Sequence, residues 1–539
     1  MMHFGSAKRN CRQLNSDLKG MLALMRAVPE FFSERLNLQR AQEEIKRDLD
    51  HREEKFLSLV HAQIYGRADS PYLKLLKLAR CEFSDLRTQV RRFGLERTLK
   101  QLAEEGVYLT ADEFKGKKEV LRGGKSFRVT ASHFECPDST AGYRTQSSGT
   151  SNQPIRSFVS LNLLAIRAPV TYLFFAAHNL FSHSHAMYDA ILPGSAGINN
   201  LLIYARMGVV ADRWFARKIP INNKIEATYH SLMTLLVTRA AQHIHRGFPK
   251  PEFLESDQIE QIVHWVEDQR SYKKACCITT AASNAARIAR AADRLAIPLD
   301  QTRFIVSGEP FTESKRKVIE RTGARATTRY AYGGSINIGF GCANPLHTDE
   351  IHVNQHLVAL LPNPRPLENG GSSFQPLVCT TLHPSFPRLL FNVESGDYGY
   401  LTQRDCGCAL GNIGLSLHLH HIRSFEKFTS EGMNYFYGDL FELVEKILPA
   451  EFGGGPGDYQ LVEEEDGRGQ TRLSLMVHPT VGELDESRLL ARLQEGLAQG
   501  SRGNLFMSRL WQDSGTFRIK RAIPHASGRG KILPLHIVH

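Results

Sequence analysis

The chain has 539 residues, 42% hydrophobic and 23% charged, with 67 basic against 56 acidic side chains for a formal net charge of +11. One hydrophobic core stops growing near ~250 to 300 residues, so at least two are expected, and the composition excludes a disordered or collagen-like chain. The basic excess suits an anionic ligand such as a nucleotide, but Lys and Arg are dispersed, which argues against a nucleic-acid-binding protein.

In chain order, the opening "MMHFGSAKRNCRQLN" lacks the apolar run of a secretory signal. Nine cysteines in so long a chain point to free thiols or metal ligands rather than a disulfide framework, and cytoplasm is the expected location. Between about 20 and 105, Ile45, Leu49, Phe56 and Val60 recur on one face among charge clusters, which predicts a helical lead-in reaching about residue 135. The most apolar stretch, "APVTYLFFAA" at 168–177, is about half a bilayer span and reads as buried core, with no membrane partner.

From 155 to 345 helical stretches alternate with short apolar strands, as in "FIV" (304–306), the turn "SGEP", the helical "TESKRKVIERTG" and a C-capping Gly323. That order predicts an α/β sheet. Strand signals dominate 350–425. In the last hundred residues "DYQLVEEEDGRGQTRLSLMVH" places an Asp-Gly turn between two strands, and a helix carrying Leu489, Leu490, Leu493 and Leu497 follows. The expected architecture is therefore α/β, with a large N-terminal domain at 1–425 and a small α+β domain at 426–539.

The stretch "YRTQSSGTSNQPIR" (143–156) puts hydroxyls and an unencumbered glycine backbone in succession, the means by which a loop converges N–H groups on phosphate oxygens. Alone it is equally an ordinary polar turn. Nearby "RGGKS" (122–126) resembles the end of a Walker A loop, but Glu119 occupies the place of the first glycine. Further on come "SGEP" (307–310), "RYAYGGS" (329–335), "VESGDYGYL" (393–401), "IRSFEKFTSEGMNYF" (422–436) and "IPHASGRGKILPL" (523–535).

Taken in this order, the segments resemble the AMP-forming adenylating enzymes, the acyl-CoA ligases and their relatives, and within them the phenylacetate-CoA ligase and coenzyme F390 synthetase branch. The resemblance spans about residues 70–535. It implies ATP and magnesium as cofactors, a small carboxylic acid as substrate, and CoA, an amine or a carrier protein as acceptor. Ser147, Ser148, Gly149 and Thr150 would hold the β- and γ-phosphates. Gly308, Glu309 and Pro310 would line the adenine pocket with Tyr332, Gly333 and Ser335, and Asp397 would accept hydrogen bonds from the ribose. Arg423 would precede an interdomain hinge at Glu426 or Lys427, and Lys531 would neutralise charge at the α-phosphate during adenylation. Ile336 stands where the branch carries a magnesium-binding glutamate, and an aliphatic side chain cannot ligate a hard cation. Either Asn337 or Glu394 compensates, or magnesium is held mainly by the phosphates, or the adenylation step is weakened.

"CGC" (Cys406, Cys408) and "GCANPLHTDEIH" (Cys342, His347, His352) resemble the places where members of the branch carry a structural zinc, and the expected ligands are Cys342, His347, Cys406 and Cys408. The run "HLHH" (His418, His420, His421) is a further source of metal ligands or, more in keeping with alternating histidines on a strand, solvated surface. His178, His183 and His185 read as core or surface histidines near the acyl pocket, and Cys276 and Cys277 as buried thiols rather than an acyl-thioester site.

Overall fold

The computed structural model describes residues 20, 22–136, 141–146, 156–194, 196–217, 224–254, 258–308, 310–332, 336–363, 376–424, 429–430, 433–434, 443–455, 458–465, 471–498, 517–525 and 535–537. The described lead-in is helical to Phe114, and a β-hairpin at 120–127 interrupts the helical reach to about 135 that the sequence suggests. Helices Leu38–Asp50, Arg52–Val60, Pro71–Leu78, Phe83–Phe93 and Leu95–Glu104 follow one another. Their apolar stripes, including Ile45, Phe56, Val60, Leu86 and Leu99, are buried in the main core. Asn37 caps the first of these helices by accepting from the Arg40 amide at 2.8 Å.

Two small hairpins come next: β1 (Val120–Arg122) with β2 (Lys125–Phe127), then β3 (Gly142–Gln146) with β4 (Arg156–Ser160). The helix Leu161–Ala177 carries the apolar stretch seen in the sequence; Val170, Leu173, Phe174 and Phe175 are buried in it. Among the described residues, no helix is long and apolar enough to cross a membrane.

A twelve-stranded sheet dominates the molecule. Its strands in chain order are β5 (Ser184–Ala190), β6 (Arg213–Arg217), β7 (Pro251–Leu254), β8 (Cys276–Ala281), β9 (Thr302–Ser307), β10 (Arg325–Tyr332), β11 (Ile336–Gly341), β12 (Ile351–Val353), β13 (Val358–Pro362), β14 (Pro376–Thr381), β15 (Val393–Gln403) and β16 (Leu417–Ser424). In space they run β13-β14-β15-β16-β12-β11-β10-β9-β8-β5-β6-β7. The half from β7 to β10 is parallel and the half from β10 to β13 antiparallel. The division follows the sequence: helical segments separate the parallel strands, as in Glu313–Glu320 between β9 and β10, whereas the described residues of 336–424 form strands, connecting turns and one short 3-10 helix, Gly411–Ile413.

Two separate cores flank and cover this sheet. A third gathers Leu461, Leu473, Leu475, Val477, Leu489, Leu493 and Leu497. It belongs to a four-stranded sheet of β19 (Tyr459–Glu465), β20 (Thr471–Val477), β21 (Phe517–Arg521) and β22 (Leu535–Ile537), ordered β21-β20-β19-β22, with the helix Glu486–Ala498 packed on it. The two-residue strands β17 (Thr429–Ser430) and β18 (Met433–Asn434) pair just before it. The architecture is thus mixed α/β with a helical lead-in and a small C-terminal sheet, as the sequence predicts.

Candidate active site and metal centre

β9 and β10 run parallel with Thr328 opposite Val306. Gly308 and Pro310, just past β9, therefore stand at the same carboxyl edge as Tyr332, the last residue of β10. The crevice beyond the carboxyl ends of parallel strands is where open α/β sheets take their ligands. Gly308 sits at φ +89°, with open space where a Cβ would lie, so its backbone conformation rather than crowding requires glycine. Tyr332 is buried and its hydroxyl donates to the Glu394 carbonyl at 3.3 Å.

Asp397 lies half-buried on β15 and accepts from the Tyr330 hydroxyl at 2.6 Å. Four strand spacings separate β10 from β15 in the sheet, about 19 Å if it were flat. The contact therefore means that the antiparallel half curls back on itself, bringing Asp397 to the edge of β10. Burial, and then the Asp397 charge, push the Tyr330 phenol well above its ordinary range, so it remains a donor. The Asp397 amide in turn donates to Ser395 Oγ at 3.1 Å. Across the β15–β16 ladder Asp397 is paired with Ser424 and Tyr398 with Arg423, which sets the Arg423 backbone one position from Asp397.

The remaining nucleotide-site residues of the sequence reading, Ser147, Ser148, Gly149, Thr150, Glu309, Gly333, Ser335 and Lys531, lie outside the described residues, as do Glu426 and Lys427. What is described is the stem of the polar stretch. β3 and β4 pair with Gln146 opposite Arg156, so 147–155 connects the two strands of a hairpin.

Ile336 is 3% exposed and belongs to the main core beside Tyr332. The two oxygen-bearing residues expected to stand in for a glutamate, Asn337 and Glu394, are both buried. Successive strand residues face opposite sides, which turns Asn337 away from the Ile336 face. The Asn337 amide is buried with no hydrogen-bond partner among the described residues. Glu394 is buried and its carboxylate accepts from the Asn363 amide. The position offers no oxygen ligand to magnesium.

One feature of this region went unread in the sequence. Arg167 on the helix Leu161–Ala177 and Arg329 on β10 are both buried, and no carboxylate pairs with either among the described residues. Arg329 donates to Asn200 Oδ1 at 2.6 Å, while Tyr143 on β3 donates to Asn199 Oδ1 at 2.5 Å. Burial, then the neighbouring Arg329, lowers Arg167 to about 10. Buried arginines normally meet acids, and no motif or spacing announces a pair that does not.

Of the four residues expected to bind a metal, Cys342, Cys406 and Cys408 lie together, and His352 rather than His347 completes their group. Cys342, Cys406, Cys408 and His352 place one donor atom each within 4.8 Å of one another. His352 on β12 turns its Nδ1 to the Leu415 carbonyl at 2.6 Å. That contact leaves Nε2 facing Cys408 Sγ at 3.1 Å and Cys406 Sγ at 3.5 Å. Cys342, directly after β11, receives the Asn344 amide at 3.3 Å and Arg404 Nη2 at 3.6 Å. The interaction between the Cys342 and Cys408 sulfurs pushes Cys342 up and Cys408 down. Three sulfurs and one imidazole in a buried cluster are a tetrahedral zinc donor set, and the carbonyl-anchored imidazole is the outer support such ligands carry.

His347 is not part of this group. The turn before β12 is pinned by Glu350, whose Oε2 accepts from the Leu346 and His347 amides at 2.6 and 3.1 Å. The turn directs the His347 ring onto that of His420, centroid to centroid 4.0 Å. The solvated reading of "HLHH" is also corrected: His418 is fully buried against Glu350 at 2.7 Å and His420 is 9% exposed, leaving only His421 exposed.

His178 and His185 are core histidines held by the Gly341 and Leu180 carbonyls at 3.0 and 2.8 Å. Cys276 and Cys277 are buried on β8 and burial raises both thiols, Cys276 to about 12, so neither is a nucleophile near neutral pH.

The sequence matches no protein-family profile and no curated protein. Among solved structures the chain resembles 2-hydroxyisobutyryl-CoA ligase in complex with 2-HIB-AMP and CoA, at 13% identity and a TM-score of 0.52, over 92% of this chain and 90% of that one. The amide bond synthetase Mcba from Marinactinospora thermotolerans aligns over 91% and 97% at 12% identity with a TM-score of 0.39. The first likeness, running nearly end to end on both chains, gives this protein the fold of the adenylate-forming ligases.

Proposed function

We propose that the protein activates a small carboxylic acid with ATP and magnesium, releasing pyrophosphate and forming an acyl-adenylate. It then passes the acyl group to CoA or to another thiol or amine. The observation that carries this reading is Asp397, held at 2.6 Å by Tyr330 beside the Tyr332 end of β10, on the fold of a CoA ligase. A carboxylate is acceptor-only, which fits it to a ribose diol. Gly308, Glu309, Pro310, Gly333 and Ser335 complete the adenine side, and Ser147, Ser148, Gly149 and Thr150 the phosphate side.

A carboxylate is a poor electrophile, and its adenylation depends on positioning and on neutralising charge at the α-phosphate. Lys531 is the residue for that charge, with Arg423 ahead of a hinge near 426. A lysine on a small C-terminal unit can leave after adenylation and admit the acceptor. The motifs favour the phenylacetate-CoA ligase branch, and reduced thiols at Cys342, Cys406 and Cys408 suit a structural zinc in the cytoplasm. In this reading zinc would tie the β11–β12 turn to the loop between β15 and β16.

Ile336 favours a second reading, a nucleotide-binding relative with impaired adenylation, or one that loads a protein acceptor. Lys531→Ala separates the two. The first predicts that hydroxamate formation from acid, ATP and hydroxylamine is lost while ATP binding persists. Tight ATP binding with no hydroxamate from the wild type on any acid overturns it.

A further inference from the structure

A second group of metal-ligating side chains lies outside the thiolate centre. His347, His420 and His421 each bring one ring nitrogen within 4.8 Å of the other two. Neighbouring residues on a regular strand point to opposite faces, so His420 and His421 should not share a side. They do because β16 is bulged: Tyr398 pairs with Arg423 and Tyr400 with His420, setting His421 and Ile422 of β16 against the single Gly399 of β15. His421 takes up the irregularity at φ +54°, a conformation unfavourable for a residue with a Cβ.

The bulge is fastened from the opposite segment. Both Asp349 carboxylate oxygens accept from it, one from the His421 amide at 2.8 Å and one from the Ile422 amide at 2.9 Å. His347, two residues before Asp349, arrives with the same turn and stacks on His420 at 4.0 Å, while the His420 and His421 rings face each other with Nδ1 to Nδ1 at 2.7 Å. Tyr400 flanks both rings at 5.8 Å. The backbone irregularity, the carboxylate that secures it and the turn held by Glu350 all act to converge three imidazoles.

We propose that His347, His420 and His421 form a partly exposed site for a divalent transition-metal ion, distinct from the thiolate centre. A three-imidazole set suits zinc, nickel or copper and is a poor host for magnesium or calcium. At Zn–N distances of ~2.0–2.1 Å, tetrahedral nitrogens lie about 3.4 Å apart, which side-chain rotations reach from the observed cluster. With three protein ligands and His421 at the surface, the fourth position faces solvent.

Nickel titration of tag-free, full-length protein, zinc-loaded at the thiolate centre, tests this by calorimetry together with a count of bound nickel and zinc after gel filtration. One nickel per chain is expected, with zinc retained. His421→Gln and His347→Gln should each weaken nickel binding by about tenfold or more without changing the zinc count. His421 is exposed, so its replacement leaves the core intact and decides the matter should His347→Gln fold poorly. Absence of nickel binding, or an affinity that survives His421→Gln, overturns the proposal.

Discussion

The Tyr330 hydroxyl and the Asp397 carboxylate form a charge-assisted pair at the edge of the crevice, and its removal has a readable consequence. A hydrogen bond to a charged group contributes about 1.5–3 kcal/mol. Tyr330→Phe should raise the KM for ATP by about tenfold or more with a smaller effect on kcat, and Asp397→Ala should raise it further; steady-state kinetics at saturating acid distinguish the two. Arg404 has a similar supporting place at the thiolate centre, reaching both Cys342 and Glu350. Arg404→Ala should weaken zinc retention by about 10- to 100-fold in a chelator competition. The sequence singled out Asp397 and the three cysteines as candidates through the family resemblance. It chose His347 over His352, and the structure groups His352 with the cysteines. Both are plausible ligands by spacing, and the choice is made by the strand pairing that sets His352 opposite His418 and by the Glu350-pinned turn.

At the scale of elements, Cys342 directly after β11 and His352 on β12 are two of the four candidate ligands, and the strands on either side of β11 leave no room for side chains at two of its glycines. A Cβ on Gly339 would lie 2.2 Å from the His352 carbonyl oxygen, and one on Gly341 2.2 Å from Thr327 Oγ1. Gly339→Ala must therefore spread β11 from β12. It should lower the melting temperature and the zinc content together, by thermal denaturation and metal analysis; retention of both would show that the two strands do not hold the centre. The alternation of helices and strands through 345 and the strand-rich segment after it were legible because each is a local pattern. The curl that brings β15 to β10 was not, since it arises from pairings between residues far apart in the chain. The same curl explains why His418 and His420 are buried in a strand that reads as polar and alternating.

For the whole molecule, buried neutral histidines give stability a defined pH dependence. Burial lowers His185 to about 4 and His356 to about 3, against ~6.5 in an unfolded chain. The unfolded state thus binds protons that the native state refuses. The contribution of these residues is fully present above about pH 6.5 and is lost as the pH falls toward 4 and 3, by up to ~1.4 kcal/mol per pH unit for each. The urea midpoint should fall between pH 7.5 and pH 5, and less steeply in His356→Gln. The claim that joins the crevice, the fold and Lys531 is that the acid's own oxygen attacks the α-phosphate of ATP. Incubating the protein with carboxyl-18O-labelled acids, ATP, magnesium and CoA, and weighing the nucleotide product, tests it most directly. The account predicts AMP carrying one 18O atom; unlabelled AMP, or label in inorganic phosphate alongside ADP, would contradict it.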